Sequence, residues 1–219
     1  MPKRAILFVN GEMGDGAYLR GVIAPEDYLI AVDGGLHHLR ALGLWPNLLI
    51  GDLDSITAQE REDAAQHGAE ILQFPAHKDE TDLELALLEA ARRQFDALLL
   101  AGMLGGRLDQ TLANLFLLLL PELAGRDVRV LEADQEISVI RQRAEIRGQV
   151  GDVVSLMPLQ GDAEGVATAG LEYPLRDETL HADRGRGVSN RMVSTRAEVS
   201  LRKGNLLCIH SWKNQKEKE

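Results

Sequence analysis

Two short segments of this chain carry more acid than packing alone explains. Gly51-Asp52-Leu53-Asp54-Ser55 follows the apolar run Leu48-Leu49-Ile50, and Lys78-Asp79-Glu80-Thr81-Asp82 comes shortly after a second run that ends at Phe74. A short apolar run of this kind reads as a buried strand, so Asp52 and Asp54 lie where a strand ends. In an extended segment the side-chain period is two, which sets both carboxylates on one face and turns Leu53 away. Two carboxylates side by side repel unless a cation lies between them. A hard divalent ion, held by one or two carboxylates together with substrate phosphates, suits such a pair.

The second segment has a local logic of its own. Thr81 and Glu84 have the spacing of a capping box before the apolar positions Leu83, Leu87 and Ala91, so Thr81 opens a helix. Asp79 and Asp82 then flank a helix N-terminus, where free N–H groups and the helix dipole favour a carboxylate or a phosphate. Helix-end stabilisation explains Asp82 as well as metal ligation does. Asp52 and Asp54 have no such local explanation.

A third segment, Gly102 to Gln110, can bind an anion. The glycines of Gly105-Gly106-Arg107 allow backbone N–H groups to approach phosphate, and Arg107 can fork onto its oxygens. Asp109 can serve instead as the N-cap of a helix over Gln110–Leu123, whereas no capping need explains Arg107. The spacing is not that of a P-loop, and Asn10-Gly11-Glu12-Met13-Gly14 is not a dinucleotide fingerprint.

These segments need a frame, and the first part of the chain supplies one. Apolar runs over Ala5–Val9, Tyr28–Val32, Leu48–Ile50, Glu70–Phe74, Asp96–Ala101 and Val128–Leu131 alternate with helical patterns over Ala58–His67, Leu83–Arg93 and Gln110–Leu123. The first helix has its own capping box, Thr57 with Glu60. Such alternation predicts βα units and a parallel sheet with helices on both faces, and ligands of open sheets gather beyond the carboxyl ends of the strands. Asp33-Gly34-Gly35 and all three segments above fall at those ends.

From about Asp134 the pattern changes to short β-prone runs: Glu136–Ile140, Asp152–Leu156, Ala197–Arg202 and Leu206–His210. Lys203-Gly204-Asn205 reads as a hairpin turn. The predicted architecture is therefore an α/β domain over residues 1–135 and an all-β sandwich over residues 136–219. Gly165–Asn190 resists assignment, and the charged stretch from Lys213 reads as a frayed tail.

Composition limits the possible partners. The 219 residues carry a net charge of −10, which disfavours sequence-independent nucleic-acid binding but leaves room for a small anion held by local bases. The apolar run Leu115–Leu120 is far short of the roughly 20 residues that span a membrane. A single cysteine, Cys208, excludes an intrachain disulfide, and no signal-peptide cleavage pattern follows Met1, so a cytoplasmic location is expected.

The ordered set Asp33-Gly34-Gly35, Gly51-Asp52-Leu53-Asp54-Ser55, Lys78-Asp79-x-Thr81-Asp82, Gly105-Gly106-Arg107-x-Asp109-Gln110 and Ser189-Asn190 resembles the thiamine pyrophosphokinase family. The resemblance implies a nucleotide-binding α/β domain followed by a thiamine-binding β-sandwich, in a homodimer with thiamine held between subunits. It also implies transfer of the pyrophosphoryl group of ATP to thiamine, with Mg2+ as cofactor and AMP as the second product. In that scheme Asp52, Asp54, Asp79 and Asp82 hold metal, directly or through water, and one carboxylate takes the hydroxyl proton. Lys78 and Arg107 offset phosphate charge; Asp33, Gly34, Gly35, Ser55, Thr81, Gly105, Gly106, Asp109 and Gln110 line the nucleotide site. Gln110, Ser189 and Asn190 contact thiamine. Some members carry a Trp in the last strand where Cys208 stands here, and Trp212 lies further on. The same acids would also serve a magnesium-dependent phosphohydrolase, whereas a dimeric nucleotide or thiamine sensor without chemistry would not need all four.

Overall fold

The computed structural model describes residues 3–14 and 16–212. The stretch from Lys213 onward lies outside the described residues. The chain divides into two compact units, Met1–Ala133 and Asp134–Glu219, and its architecture is mixed α/β.

The first unit runs β1 (Arg4–Phe8), a 3-10 turn, β2 (Tyr28–Val32), α1 (Gly35–Ala41), β3 (Leu48–Gly51), α2 (Ala58–Gln66), β4 (Glu70–Gln73), α3 (Asp82–Arg92), β5 (Ala97–Ala101), α4 (Leu108–Leu117), a second 3-10 turn and β6 (Asp127–Leu131). Its strands lie in the order β4-β3-β2-β1-β5-β6, and every neighbouring pair is parallel. The chain winds outward from β1 to β4 and then restarts on the other side of β1 with β5. The crevice beyond the carboxyl ends of β1 and β5 is therefore the topological switch point, where ligands of open α/β sheets bind.

Residues of both parities are buried along the central strands, as a sheet covered on both faces requires. Ile6, Phe8, Leu29, Ala31, Leu49, Leu99 and Ala101 form one cluster with Leu36 and Leu39 of α1 and Ala64 of α2. The intervening Ala5, Leu7, Ile30, Leu48, Ile50 and Leu100 are equally buried, and α3, which packs on β2 and β3, buries Leu83, Ala86, Leu87 and Ala90.

Side-chain caps start α2 and α3 but neither α1 nor α4. Thr57 and Glu60 form the complete reciprocal capping box of α2. Thr81 Oγ1 accepts the Glu84 N–H at 3.2 Å at the start of α3. The helix expected over Gln110–Leu123 instead begins at Leu108, with Arg107 as its extended N-cap and Asp109 inside the first turn. It stops at Leu117, and a separate 3-10 turn covers Pro121–Leu123, because the residue before a proline is pushed out of the helical region. The segment Gly35–Ala41 is a helix that no capping residue announces.

The second unit contains β7 (Gln135–Ile140), β8 (Arg143–Arg147), β9 (Val153–Ala169), β10 (Glu178–Leu180), β11 (Asn190–Arg191), β12 (Arg196–Ser200) and β13 (Lys203–Ser211), all paired antiparallel. The short strand expected over Asp152–Leu156 is the start of the 17-residue β9. Left-handed backbone at Gln160 and Gly161 turns β9, so its first half pairs with β13 and β11 and its second half with β10 and β12, β13 keeping one further pair between Lys203 and Glu164. Lys203-Gly204-Asn205 is no hairpin turn: Lys203 already begins β13, and β12 and β13 pair with different strands on their other sides. The chain changes sheets at Leu201-Arg202, whose N–H groups bond Gln142 and Glu164. One core of Ile140, Val154, Leu156, Val166, Val199, Leu206 and Cys208 lies within this unit.

A carboxylate network ties α3 to the sheet. Glu89 forks to Arg92 and accepts from Arg93, which reaches Glu70 of β4 and the Tyr28 hydroxyl of β2. The Arg92 hydrogen bonds, aided by Arg93 and opposed by burial, hold the Glu89 carboxyl down at about 2. The folded state thus gains stability from ionised Glu89 above its ordinary value of 4.5 and loses it as pH falls towards 2. Glu89→Gln should lower Tm at pH 7, and the gap to wild type should close between pH 4.5 and 2 in a series of melting curves. A gap independent of pH would show that packing, not ionisation, carries the effect.

Candidate active site

The ends of β2 and β3 and the start of α3 bring three acids together. Asp33, Asp52 and Asp82 each offer a carboxylate oxygen, and these oxygens lie within 4.8 Å of one another. Asp33 is 6% exposed, sits in left-handed backbone, and its Oδ1 is buried with no hydrogen-bond partner. Such an oxygen is costly unless something cationic meets it. Gly51 keeps the space open: a methyl there would stand 3.1 Å from Asp33 Cβ and 3.2 Å from Asp82 Cγ.

Lys78 supplies part of the compensation. Its Nζ lies 2.9 Å from Asp82 Oδ1 and 3.9 Å from Asp52 Oδ2. Burial pulls the Lys78 pKa down, but the Asp82 hydrogen bond and the charges of Asp82, Asp52 and Asp33 outweigh it and raise the net value. The Asp52 N–H also donates to Asp82 Oδ1 at 3.1 Å, which fixes α3 against the end of β3.

Asp54 and Asp79 lie outside this group, and both are exposed. The expected extended geometry ends at Leu53, whose φ of 64° is left-handed and whose side chain is buried in the core. The chain turns there, so period-two alternation no longer places Asp54 beside Asp52. The Asp54 N–H instead donates to Asp52 Oδ1 at 3.1 Å, and Asp54 accepts from Ser55 Oγ. Asn10 Nδ2 reaches Ser55 Oγ at 3.3 Å from the loop after β1.

The loop after β5 holds Gly105, Gly106 and Arg107. Arg107 forks onto Asp109, with Nε and Nη2 at 3.1 and 2.6 Å from its carboxylate oxygens. Those bonds lower the Asp109 pKa and raise that of Arg107. Both side chains are exposed, and Asp109 Oδ1 also accepts the Gln110 N–H. Gly34 and Gly35 act through absence of bulk. Asn10 fills the space beside Gly34, and a methyl on Gly35 would lie 1.9 Å from the Phe8 carbonyl oxygen.

In the second unit, the left-handed Ser189 donates its N–H to Ser155 Oγ at 3.0 Å. The Asn190 side chain is buried and spent internally. Its Oδ1 accepts the Tyr173 N–H and its Nδ2 donates to the Tyr173 carbonyl, while the Tyr173 side chain is exposed. Cys208 lies in the core, and burial pushes its thiol up to about 12. Trp212 stands edge-on to His210 beyond it. Asp33 has no sequence signal as a partner of Asp52 and Asp82, because only the parallel register of β2 and β3 sets them side by side.

Residues 19–130 match the family model "Thiamin pyrophosphokinase, catalytic domain", and residues 137–206 match "Thiamin pyrophosphokinase, vitamin B1 binding domain". The chain belongs to the thiamine pyrophosphokinase family. The acid cluster and the glycine loop fall within the first match, and Ser189 and Asn190 within the second. Thiamine pyrophosphokinase of Bacillus subtilis (strain 168) is 30% identical over 195 residues, 88% of this chain and 91% of its own. The crystal structure of thiamine pyrophosphokinase from Bacillus subtilis superposes with a TM-score of 0.85 at 28% identity, covering 97% of this chain and all of that one. Yeast thiamin pyrophosphokinase shares the fold at 16% identity, with a TM-score of 0.79 over 96% of this chain and 87% of its own.

The Gly35 contact gives a test of how the site is held. Alanine is ordinarily the better helix former by about 1 kcal/mol. Here Gly35→Ala should instead destabilise the protein by roughly 2 kcal/mol or more, since a backbone carbonyl cannot step aside. Unchanged denaturant midpoints would show that α1 can slide away from β1 without loss.

Proposed function

We propose that this chain transfers the pyrophosphoryl group of ATP to thiamine at the Asp33–Asp52–Asp82 cluster, giving thiamine diphosphate and AMP. What carries this is the acid cluster itself, inside a catalytic-domain match that is followed by a vitamin B1 binding-domain match in one chain. The donor set is oxygen only, and the partnerless buried Asp33 Oδ1 calls for a cation, so a hard divalent ion such as Mg2+ fits. Asp33, Asp52 and Asp82 would hold it, with Asp54 and Asp79 acting at the rim through water. When bound, the ion neutralises charge on the transferring phosphates.

The chain's own groups have the remaining tasks. Lys78 and Arg107 release their carboxylate partners to meet phosphate oxygens, and Gly105 and Gly106 let backbone N–H groups approach them. A cluster carboxylate accepts the proton of the thiamine hydroxyl. That oxygen bonds to the β-phosphorus while the bond from the β-phosphorus to the oxygen it shares with the α-phosphorus breaks, so AMP leaves and the β–γ linkage goes to thiamine. Positioning and electrostatics supply most of the acceleration, as in phosphoryl transfer generally. Gly34, Gly35, Ser55, Thr81, Asp109 and Gln110 shape the nucleotide side. Ser189 meets thiamine, and Asn190 shapes that pocket through Tyr173. A phosphohydrolase would need no vitamin B1 domain, and a sensor would need no such acid cluster.

Among the described residues no helix is long and apolar enough to cross a membrane. ATP as substrate and a buried lone thiol fit the cytoplasm. Residues 1–135 form the catalytic domain of this scheme, and residues 136–219 form the thiamine-binding sandwich that also serves dimerisation. Leu108, Leu112 and Phe116 stand 72%, 48% and 51% exposed on one face of α4, an apolar stripe of the kind that association covers.

Mixing protein, ATP, a divalent ion and thiamine should yield AMP and thiamine diphosphate in equal amounts. Asp52→Asn should lower turnover by about 100-fold or more with Tm little changed. Equal loss of activity and stability would place Asp52 in the scaffold alone. In a homodimer whose site draws on both chains, mixing Asp52→Asn chains with Asn190→Ala chains should restore activity, because one of the two sites escapes both changes. Mixed dimers that stay inactive after verified subunit exchange would exclude a shared site.

A further inference from the structure

The loop after β1, Asn10 to Met13, takes no part in the chemistry above, yet it is bonded along its length to the loop after β5. The parallel pairing of β1 and β5 continues past the strands: the Val9 N–H donates to Ala101, the Gly11 N–H to Gly102 and the Glu12 N–H to Leu104, at 2.9, 2.8 and 2.8 Å. Glu12 adds a side-chain bond, its Oε1 accepting the Gly106 N–H at 3.1 Å. One residue thus holds both ends of the Leu104–Gly106 turn, through its main chain at Leu104 and its carboxylate at Gly106.

Both glycines in contact are needed for this fit. A methyl on Gly105 would stand 2.7 to 2.9 Å from the Glu12 side chain, and one on Gly11 would stand 2.4 and 2.5 Å from the carbonyl oxygens of Leu104 and Gly102. From the other side, His38 Nε2 of α1 donates to the Gly11 carbonyl at 2.9 Å and fixes the first loop in turn. A loop with two consecutive glycines has many conformations of its own, so its shape at the switch point is imposed from outside.

We infer that Glu12 is a positioning residue for the nucleotide phosphates: it fixes the turn that presents Gly105, Gly106 and Arg107. This rests on the pyrophosphokinase activity proposed above. Glu12 touches neither the acid cluster nor, in this arrangement, the reacting atoms, and its effect passes through the Gly106 N–H. The acceptor oxygen matters more than the charge, because glutamine offers an oxygen in the same place.

The test uses the full chain with Glu12→Ala and Glu12→Gln. At saturating thiamine, Glu12→Ala should lower kcat/KM for ATP by about tenfold, while KM for thiamine stays within about twofold, as loss of one positioning bond implies. Glu12→Gln should recover most of that loss. In amide spectra the Gly106 N–H resonance should move in the alanine variant and stay near its wild-type position in the glutamine variant. Wild-type kinetics for Glu12→Ala would overturn the inference. So would equal damage for both substrates with a lowered Tm, which marks a merely structural role, or tighter ATP use by both variants, which marks a carboxylate that competes with phosphate. If the wild-type protein makes no thiamine diphosphate, the proposed activity fails. The Gly106 resonance and calorimetric binding of a non-hydrolysable ATP analogue then still decide the role of Glu12.

Discussion

Parallel pairing constrains everything in the first unit, because it makes all six strands finish on one edge of the sheet. An antiparallel sheet would send alternate loops to opposite ends and scatter their polar residues. Here Glu12, Asp33, Asp52 and Gly106 come from four different strand ends and still meet on one edge, two by two. The restart of the chain at β5 adds the second requirement. Loops on either side of that break diverge to cover opposite faces, which leaves a crevice for a ligand between them.

Three carboxylates within 4.8 Å would repel strongly in a partly buried place, so their convergence must be held by something stronger than packing. Lys78 lies on the segment leading into α3, four residues before Asp82, and can follow its turn closely enough to bond it. The Asp52 N–H adds a second donor to the same oxygen. Asp33 receives neither, and its Oδ1 is the part of the cluster that the protein leaves uncompensated. The helix N-terminus explains Asp82 in part: it is a first-turn acid of α3 that also faces Asp52 and Asp33.

Local chemistry is legible in the order of the residues, and long-range contact is not. The capping box of α2 and the apolar runs of the six strands depend on residues a few positions apart, and the structure reproduces them within a residue or two. The start of α4 differs from expectation because Asp109 looks like an N-cap, whereas its carboxylate is engaged by Arg107 two positions earlier. The hairpin expected at Lys203 is missing for a different reason. Gly and Asn mark a turn by conformational freedom, but here Gly204 is pressed against the backbone of Asp162 and Ala163 inside a paired strand. Glu12 carries no signal at all, since its partner lies 94 positions away and only the β1–β5 register brings the two loops together.

A chain with net charge −10 that must take up a polyanion faces a selection problem, and its pairings suggest how it is met. Both side chains assigned to phosphate are already bonded to a carboxylate of the chain, Lys78 to Asp82 and Arg107 to Asp109. Binding is then an exchange of one anion for another, and only the difference between the two contributes to affinity. An arrangement of this kind gives little hold to a single weak anion, since it offers no more than the carboxylate it displaces. A triphosphate that brings a divalent ion differs in two respects. Its charge would engage several donors at once, and its cation would take over Asp82 and Asp52, which give up Lys78, together with Asp33, which the protein leaves uncompensated.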